Sequence, residues 1–237
     1  MIRFLRPFDP HRIRLLVFDL DGTLVDSRLD LIHSVNAMLR ELNRPELDGN
    51  VIASYVGDGA PALVRRALGG SDTDVDNATA DDALFRRALE YFLGYYRLHK
   101  LDHTTLYRGI PETLANLSKP SNGLQRLMAV LSNKPVNPSR DIVQALGLSD
   151  YFVRIYGGNS FPTKKPDPLG VRTILHETGV PPDEALMIGD SSIDMLTGRN
   201  AGLWTCGVTY GFAPHTLEET PPDVLIESPR ELGELFR

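Results

Sequence analysis

Short, unbroken apolar runs constrain this chain more than any other feature: Leu15 to Phe18, Leu127 to Leu131, Val153 to Tyr156, Ala185 to Ile188, Leu203 to Val208 and Val224 to Ile226. They are continuous rather than alternating, the pattern of strands buried on both faces of a parallel sheet. Helical stretches lie between them: Pro111 to Leu117, Pro138 to Leu146, Leu169 to Thr178 and Ile193 to Asn200. Gly147, Gly179 and Gly202 follow three of these, where a left-handed residue ends a helix at least cost. Strands alternating with helices predict a doubly wound, mostly parallel α/β sheet of Rossmann-like type.

Residues 28–103 break that rhythm. Leu29, Ile32, Val35, Leu39 and Leu42 recur at helical spacing, as do Leu84, Phe85, Ala88, Leu89 and Phe92, with no convincing strand between. The expected organisation is an α/β core from residues 1–27 and 104–237, interrupted by a helical cap at 28–103.

Polar clusters follow the predicted strands. Asp19-Leu20-Asp21-Gly22-Thr23 stands directly after the first apolar run. An Asx-type turn with Gly22 at positive φ accounts for the shape. It does not account for two carboxylates one residue apart, which suit a divalent cation and an attacking oxygen at the ligand-binding ends of an open sheet. Ser132-Asn133-Lys134 follows the second run and opens a helix, where N–H groups meet anions. Lys164-Lys165-Pro166-Asp167-Pro168 puts a cation ahead of a proline-favoured helix entry. Gly189-Asp190-Ser191-Ser192-Ile193-Asp194 places two carboxylates at a helix start, where the dipole favours them; helix capping by Asp190 is the competing explanation. Together these strand ends supply the carboxylates, hydroxyl and lysine that metal-assisted phosphoryl transfer requires.

Composition narrows the partners. Thirty-one acidic against 25 basic side chains give a net charge of −6, which argues against a nucleic-acid backbone binder. No run approaches the roughly 20 apolar residues of a membrane helix. Met1 to Arg14 is interrupted by Pro7 and Pro10 and lacks a signal peptide's apolar centre, and the single Cys206 fits a reducing cytoplasm. The expected partner is a small phosphorylated metabolite, with no nucleic acid and no membrane, for a cytoplasmic monomer or homodimer.

The clusters, in this order, resemble the motifs of the haloacid dehalogenase superfamily of Asp-nucleophile phosphatases. Val56-Gly57-Asp58-Gly59-Ala60 followed by Leu63, Arg66, Ala67 and Leu68, and Gly157-Gly158-Asn159-Ser160 ahead of Lys165, are similar to its phosphoglycolate phosphatase subfamily. The resemblance implies Asp19 as nucleophile and Asp21 as general acid and then base. It implies Mg2+ held by the Asp19 and Asp190 carboxylates and the Asp21 carbonyl. Ser132, the Asn133 N–H and Lys165 would bind phosphate, with Lys164 the weaker lysine candidate. Thr23 would orient Asp21 or the turn, and Asp194 would orient Lys165 or metal-bound water. Substrate discrimination would fall to the cap, where Gly57 and Gly59 allow close approach and Arg66, less so Arg65, meets a substrate carboxylate beside Asp58. The implied activity is hydrolysis of a phosphate monoester, 2-phosphoglycolate first. The alternatives are a sugar-phosphate phosphatase, a phosphoglucomutase or a pyrophosphatase of the same superfamily, or a phospho-accepting signalling module.

Other features carry less. Asp72, Asp74 and Asp76 begin like a calcium loop, but Asn77 replaces its glycine and Ala83 its glutamate. His176-Glu177 lacks a second histidine and Gly57-Asp58-Gly59 a third glycine for the zinc and dinucleotide motifs. Trp204, Tyr91, Tyr95, Tyr96 and Cys206 read as packing residues.

Overall fold

The computed structural model describes residues 1–70, 81–120 and 125–237. The calcium-like segment of Asp72, Asp74 and Asp76 lies outside the described residues. A seven-stranded sheet forms from β1 (Arg3–Phe4), β2 (Leu15–Phe18), β3 (Leu127–Leu131), β4 (Arg154–Tyr156), β5 (Ala185–Gly189), β6 (Trp204–Val208) and β7 (Val224–Ile226). Their order across the sheet is β1-β7-β6-β5-β2-β3-β4. All neighbours are parallel except β1, which pairs antiparallel with β7. The two-residue β1 was not expected, because a strand that short carries no periodicity.

β2 is an interior strand, with Leu15 level with Leu127 on one side and Ala185 on the other. The chain winds from β2 through β3 to β4, then returns to β2's opposite flank at β5. That reversal opens a crevice at the carboxyl ends of β2, β3 and β5, the usual ligand position in such sheets. Leu16, Phe18, Met128, Val130, Leu186 and Ile188 pack into one apolar layer, with Cys206 buried among them. Leu15, Val17, Ala129, Leu131, Ala185 and Met187 pack into the other. Both faces being covered is why these strands read as unbroken apolar runs.

The helices are α1 (Arg28–Glu41), α2 (Gly49–Ser54), α3 (Ala60–Ala67), α4 (Asp81–His99), α5 (Ile110–Leu117), α6 (Val136–Ala145), α7 (Leu169–Thr178), α8 (Ser192–Ala201) and α9 (Pro229–Leu235). Among the described residues none is long and apolar enough to cross a membrane. The chain divides into two compact units, Met1–Asp26 with Leu106–Arg237, and Ser27–Thr105. The larger unit covers one sheet face with α5, α6 and α9 and the other with α7 and α8.

The smaller unit holds α1 to α4, packed around Val35, Met38, Leu39, Ile52, Val64, Ala88 and Phe92. Leu29, expected on the inward stripe of α1, is instead 53% exposed, while Asp30 and Leu31 beside it are buried, so the inward face of the first turn is set one position further on. Buried Asp30 accepts from the His103 and Thr104 N–H groups and from Thr104 Oγ1, closing the unit's two ends on each other. Of the aromatic residues, Tyr96 is buried and stacks on Phe92, and Tyr91 stacks on Tyr95. In the larger unit Trp204 stacks on Phe8.

Candidate active site

The turn after β2 is built from backbone bonds. Asp19 N–H donates to Ile188 O at 2.9 Å, and Leu24 N–H to Leu20 O at 2.9 Å. Gly22 takes φ +82°, and a Cβ there would strike the Asp190 carboxylate, so the position needs glycine twice over. The turn thereby lies against the end of β5.

Asp19, Asp190 and Asp194 are all buried, and their carboxylate oxygens lie within 4.8 Å of one another. One side chain answers that charge directly. Lys165 Nζ is 2.8 Å from Asp19 Oδ1 and 2.6 Å from Asp194 Oδ1. Burial opposes the Lys165 ammonium, but the two carboxylates outweigh it and hold its pKa above the ordinary lysine range. Burial pushes Asp19 up to about 6, against the pull of Lys165. Asp190 is pushed up to about 7 by burial and the charges of Asp194 and Asp19, against the Phe212 and Ala213 N–H groups that donate to its Oδ2.

Asp194 is already committed. Its Oδ2 accepts from Ser191 N–H and Oγ, so Ser191 and Asp194, rather than Asp190, form the cap of α8. That leaves Asp19 and Asp190 as buried carboxylates under-compensated by one lysine. Such a donor set fits a hard divalent cation, which takes carboxylate and carbonyl oxygen.

The loop after β3 supplies the opposite wall. Ser132, Asn133 and Lys134 are all buried. Asn133 Oδ1 accepts from Lys165 N–H at 3.0 Å and its Nδ2 donates to Lys165 O at 3.1 Å, a role for the side chain that the sequence did not suggest. Ser132 Oγ accepts the Lys134 N–H at 3.3 Å. Lys134 Nζ reaches 113 positions back to Asp21 Oδ2 at 2.7 Å. No site role was expected of this lysine, although it stands in the same strand-end cluster as Ser132. Gly157 and Gly158 lie so close to this loop that a Cβ on either would strike its backbone, and Gly158 N–H donates to Lys134 O at 2.8 Å.

Thr23 is buried, but its Oγ1 has no hydrogen-bond partner and does not orient Asp21; its carbonyl accepts from Tyr210 Oη at 3.1 Å. Lys164 is exposed, whereas Lys165 holds the central place. In the smaller unit Gly57 and Gly59 take φ +135° and +88°, flanking Asp58. Asp58 Oδ2 accepts from Arg66 Nη2 at 2.6 Å, and Arg66 Nη1 donates to Tyr55 O at 3.0 Å. Arg66 is thus engaged within its own unit, and Arg65 lies over the Phe85 ring.

Known proteins share this organisation. The family model described as haloacid dehalogenase-like hydrolase matches residues 16–208. A phosphoglycolate phosphatase of Chromobacterium violaceum is 38% identical over 225 residues, covering 95% of this chain and 97% of its own. One from Vibrio vulnificus is 38% identical over 223 residues, covering 93% and 94%. The crystal structure of a predicted phosphoglycolate phosphatase from Haemophilus somnus superposes with a TM-score of 0.85 at 30% identity, covering 95% of this chain and 99% of that one.

Proposed function

Because the chain belongs to the haloacid dehalogenase-like hydrolase family, we propose that it hydrolyses a small phosphate monoester, 2-phosphoglycolate foremost, through Asp19. The observation that carries this reading is the pairing of buried Asp19 with Lys165 at 2.8 Å, two residues from the acid–base candidate Asp21. A carboxylate nucleophile splits one difficult displacement into two easier ones.

In the first step an Asp19 oxygen bonds to phosphorus as the ester P–O bond breaks, and Asp21 gives its proton to the departing alkoxide. In the second, Asp21 takes a proton from water as the water oxygen bonds to phosphorus. The aspartyl P–O bond then breaks, releasing phosphate and restoring Asp19. Lys165, Ser132 Oγ and the Asn133 N–H hold the phosphate oxygens, and Asp194 holds Lys165 in place. Mg2+ would be held by the Asp19 and Asp190 carboxylates and the Asp21 carbonyl, where a hard divalent ion offsets the charge of phosphate and carboxylates.

Phosphate release from a panel of small phosphate esters, with Mg2+ added, tests this. Multiple turnovers on 2-phosphoglycolate support hydrolysis; at most one phosphate per chain would instead indicate a phospho-accepting module.

A further inference from the structure

Lysine is rarely buried unless paired. Among its described residues the larger unit buries two, Lys134 at 7% and Lys165 at 5% exposure. Lys165 balances Asp19 and Asp194, on the phosphate side of the site. Lys134 faces a different group. Its Nζ is 2.7 Å from Asp21 Oδ2, and its backbone is held by Ser132 Oγ on one side and Gly158 N–H on the other.

In the reading above, Asp21 meets the ester oxygen of the leaving group. A cation in contact with Asp21 therefore stands beside the leaving group rather than the phosphate. We propose that Lys134 is a specificity-determining residue that selects phosphate esters bearing a carboxylate one carbon from the ester oxygen. In such an ester a single methylene separates the ester oxygen from the carboxylate carbon, which brings the anion to the ammonium whenever the ester oxygen is at Asp21. An ammonium has three donors in a compact point charge, so contact with Asp21 is compatible with a second anionic contact. Arg66, the carboxylate reader suggested by sequence, is already bonded to Asp58 and the Tyr55 carbonyl.

The proposal rests on the role given to Asp21, and the experiment separates the two. Wild type and Lys134→Met are compared by kcat/KM on 2-phosphoglycolate and on 2-hydroxyethyl phosphate, which replaces the carboxylate with an alcohol. Wild type should prefer 2-phosphoglycolate, and Lys134→Met should reduce that preference about ten- to a hundredfold, the weight of a charged hydrogen bond. Lys134→Arg, which keeps the charge, should restore part of it. If Lys134→Met does not fold, as judged by its melting curve, Lys134→Gln carries the same comparison. An unchanged ratio in a folded variant overturns the proposal, because Lys134 then serves only to hold Asp21, and so does a wild type with no preference. Loss of the underlying reading shows differently: Asp21→Asn would then turn over both esters at the wild-type rate, and the proposal would fall with it.

Discussion

Asn133 grips Lys165 by its backbone, accepting from its N–H at 3.0 Å and donating to its carbonyl at 3.1 Å. A side chain on the loop after β3 therefore fixes the position of a lysine 32 residues later in the chain. Asn133→Ala removes both bonds and leaves two buried backbone groups of Lys165 unpaired, a cost of about 1–3 kcal/mol in stability. Turnover should fall about tenfold or more while Lys165 itself is retained, measured by phosphate release beside a melting curve. An unchanged melting temperature would remove the clamp from the account.

Lys165→Met tests the cation itself. Removing one partner of a buried ion pair commonly costs about 3–5 kcal/mol, because the remaining charges are left uncompensated. Here two carboxylates lose their shared partner, so a marked drop in melting temperature should accompany a loss of turnover of about a hundredfold or more. Loss of turnover with no change in stability would contradict the charge balance drawn for Asp19 and Asp194.

The metal-free protein should lose stability as pH rises. Asp19 and Asp190 have folded pKa values of about 6 and about 7, above their ordinary 3.8, so the folded state holds more protons than the unfolded one between those values. Stability contributed by these protons is present below about pH 4 and is lost progressively up to about pH 7, by a few kcal/mol in all. A divalent cation replaces the protons, so Mg2+ should raise the melting temperature more at pH 8 than at pH 5. A larger rise at pH 5 would contradict the assigned ligands.

The helical unit gives the reverse expectation to the sequence. Arg66→Ala breaks the contacts with Asp58 and Tyr55 O, both inside that unit, and should lower stability by about 1–2 kcal/mol. It should lower kcat/KM on 2-phosphoglycolate and on an aryl phosphate by similar factors. A loss confined to 2-phosphoglycolate would assign carboxylate recognition to Arg66 instead.

These residues show what sequence can and cannot reveal. Asp19 and Asp190 were legible because a parallel strand buried on both faces ends abruptly, and a carboxylate set right after it contributes nothing to packing. Lys134 and the Asn133 side chain were not, although they stand in the same cluster as Ser132. Strand-end position places a loop, but which way each side chain turns depends on neighbours far along the chain, here Asp21 and Lys165. Arg66 illustrates the same limit in the helical unit: its place in a family-like motif suggested a contact with substrate, and only the fold shows that it is bonded to Asp58. Leu29 is apolar at helical spacing yet exposed, while its polar neighbour Asp30 is buried, since spacing alone does not say which side of a helix meets the rest of the chain.

The covalent role of Asp19 is tested most directly by quenching the enzyme in acid during turnover of 2-phosphoglycolate and mapping the phosphoryl group by mass spectrometry. One phosphoryl group is expected on the peptide containing Asp19. In Asp19→Asn both that group and turnover should be lost, the latter by several orders of magnitude. Full turnover by pure Asp19→Asn, or a phosphoryl group carried on another residue, would contradict it.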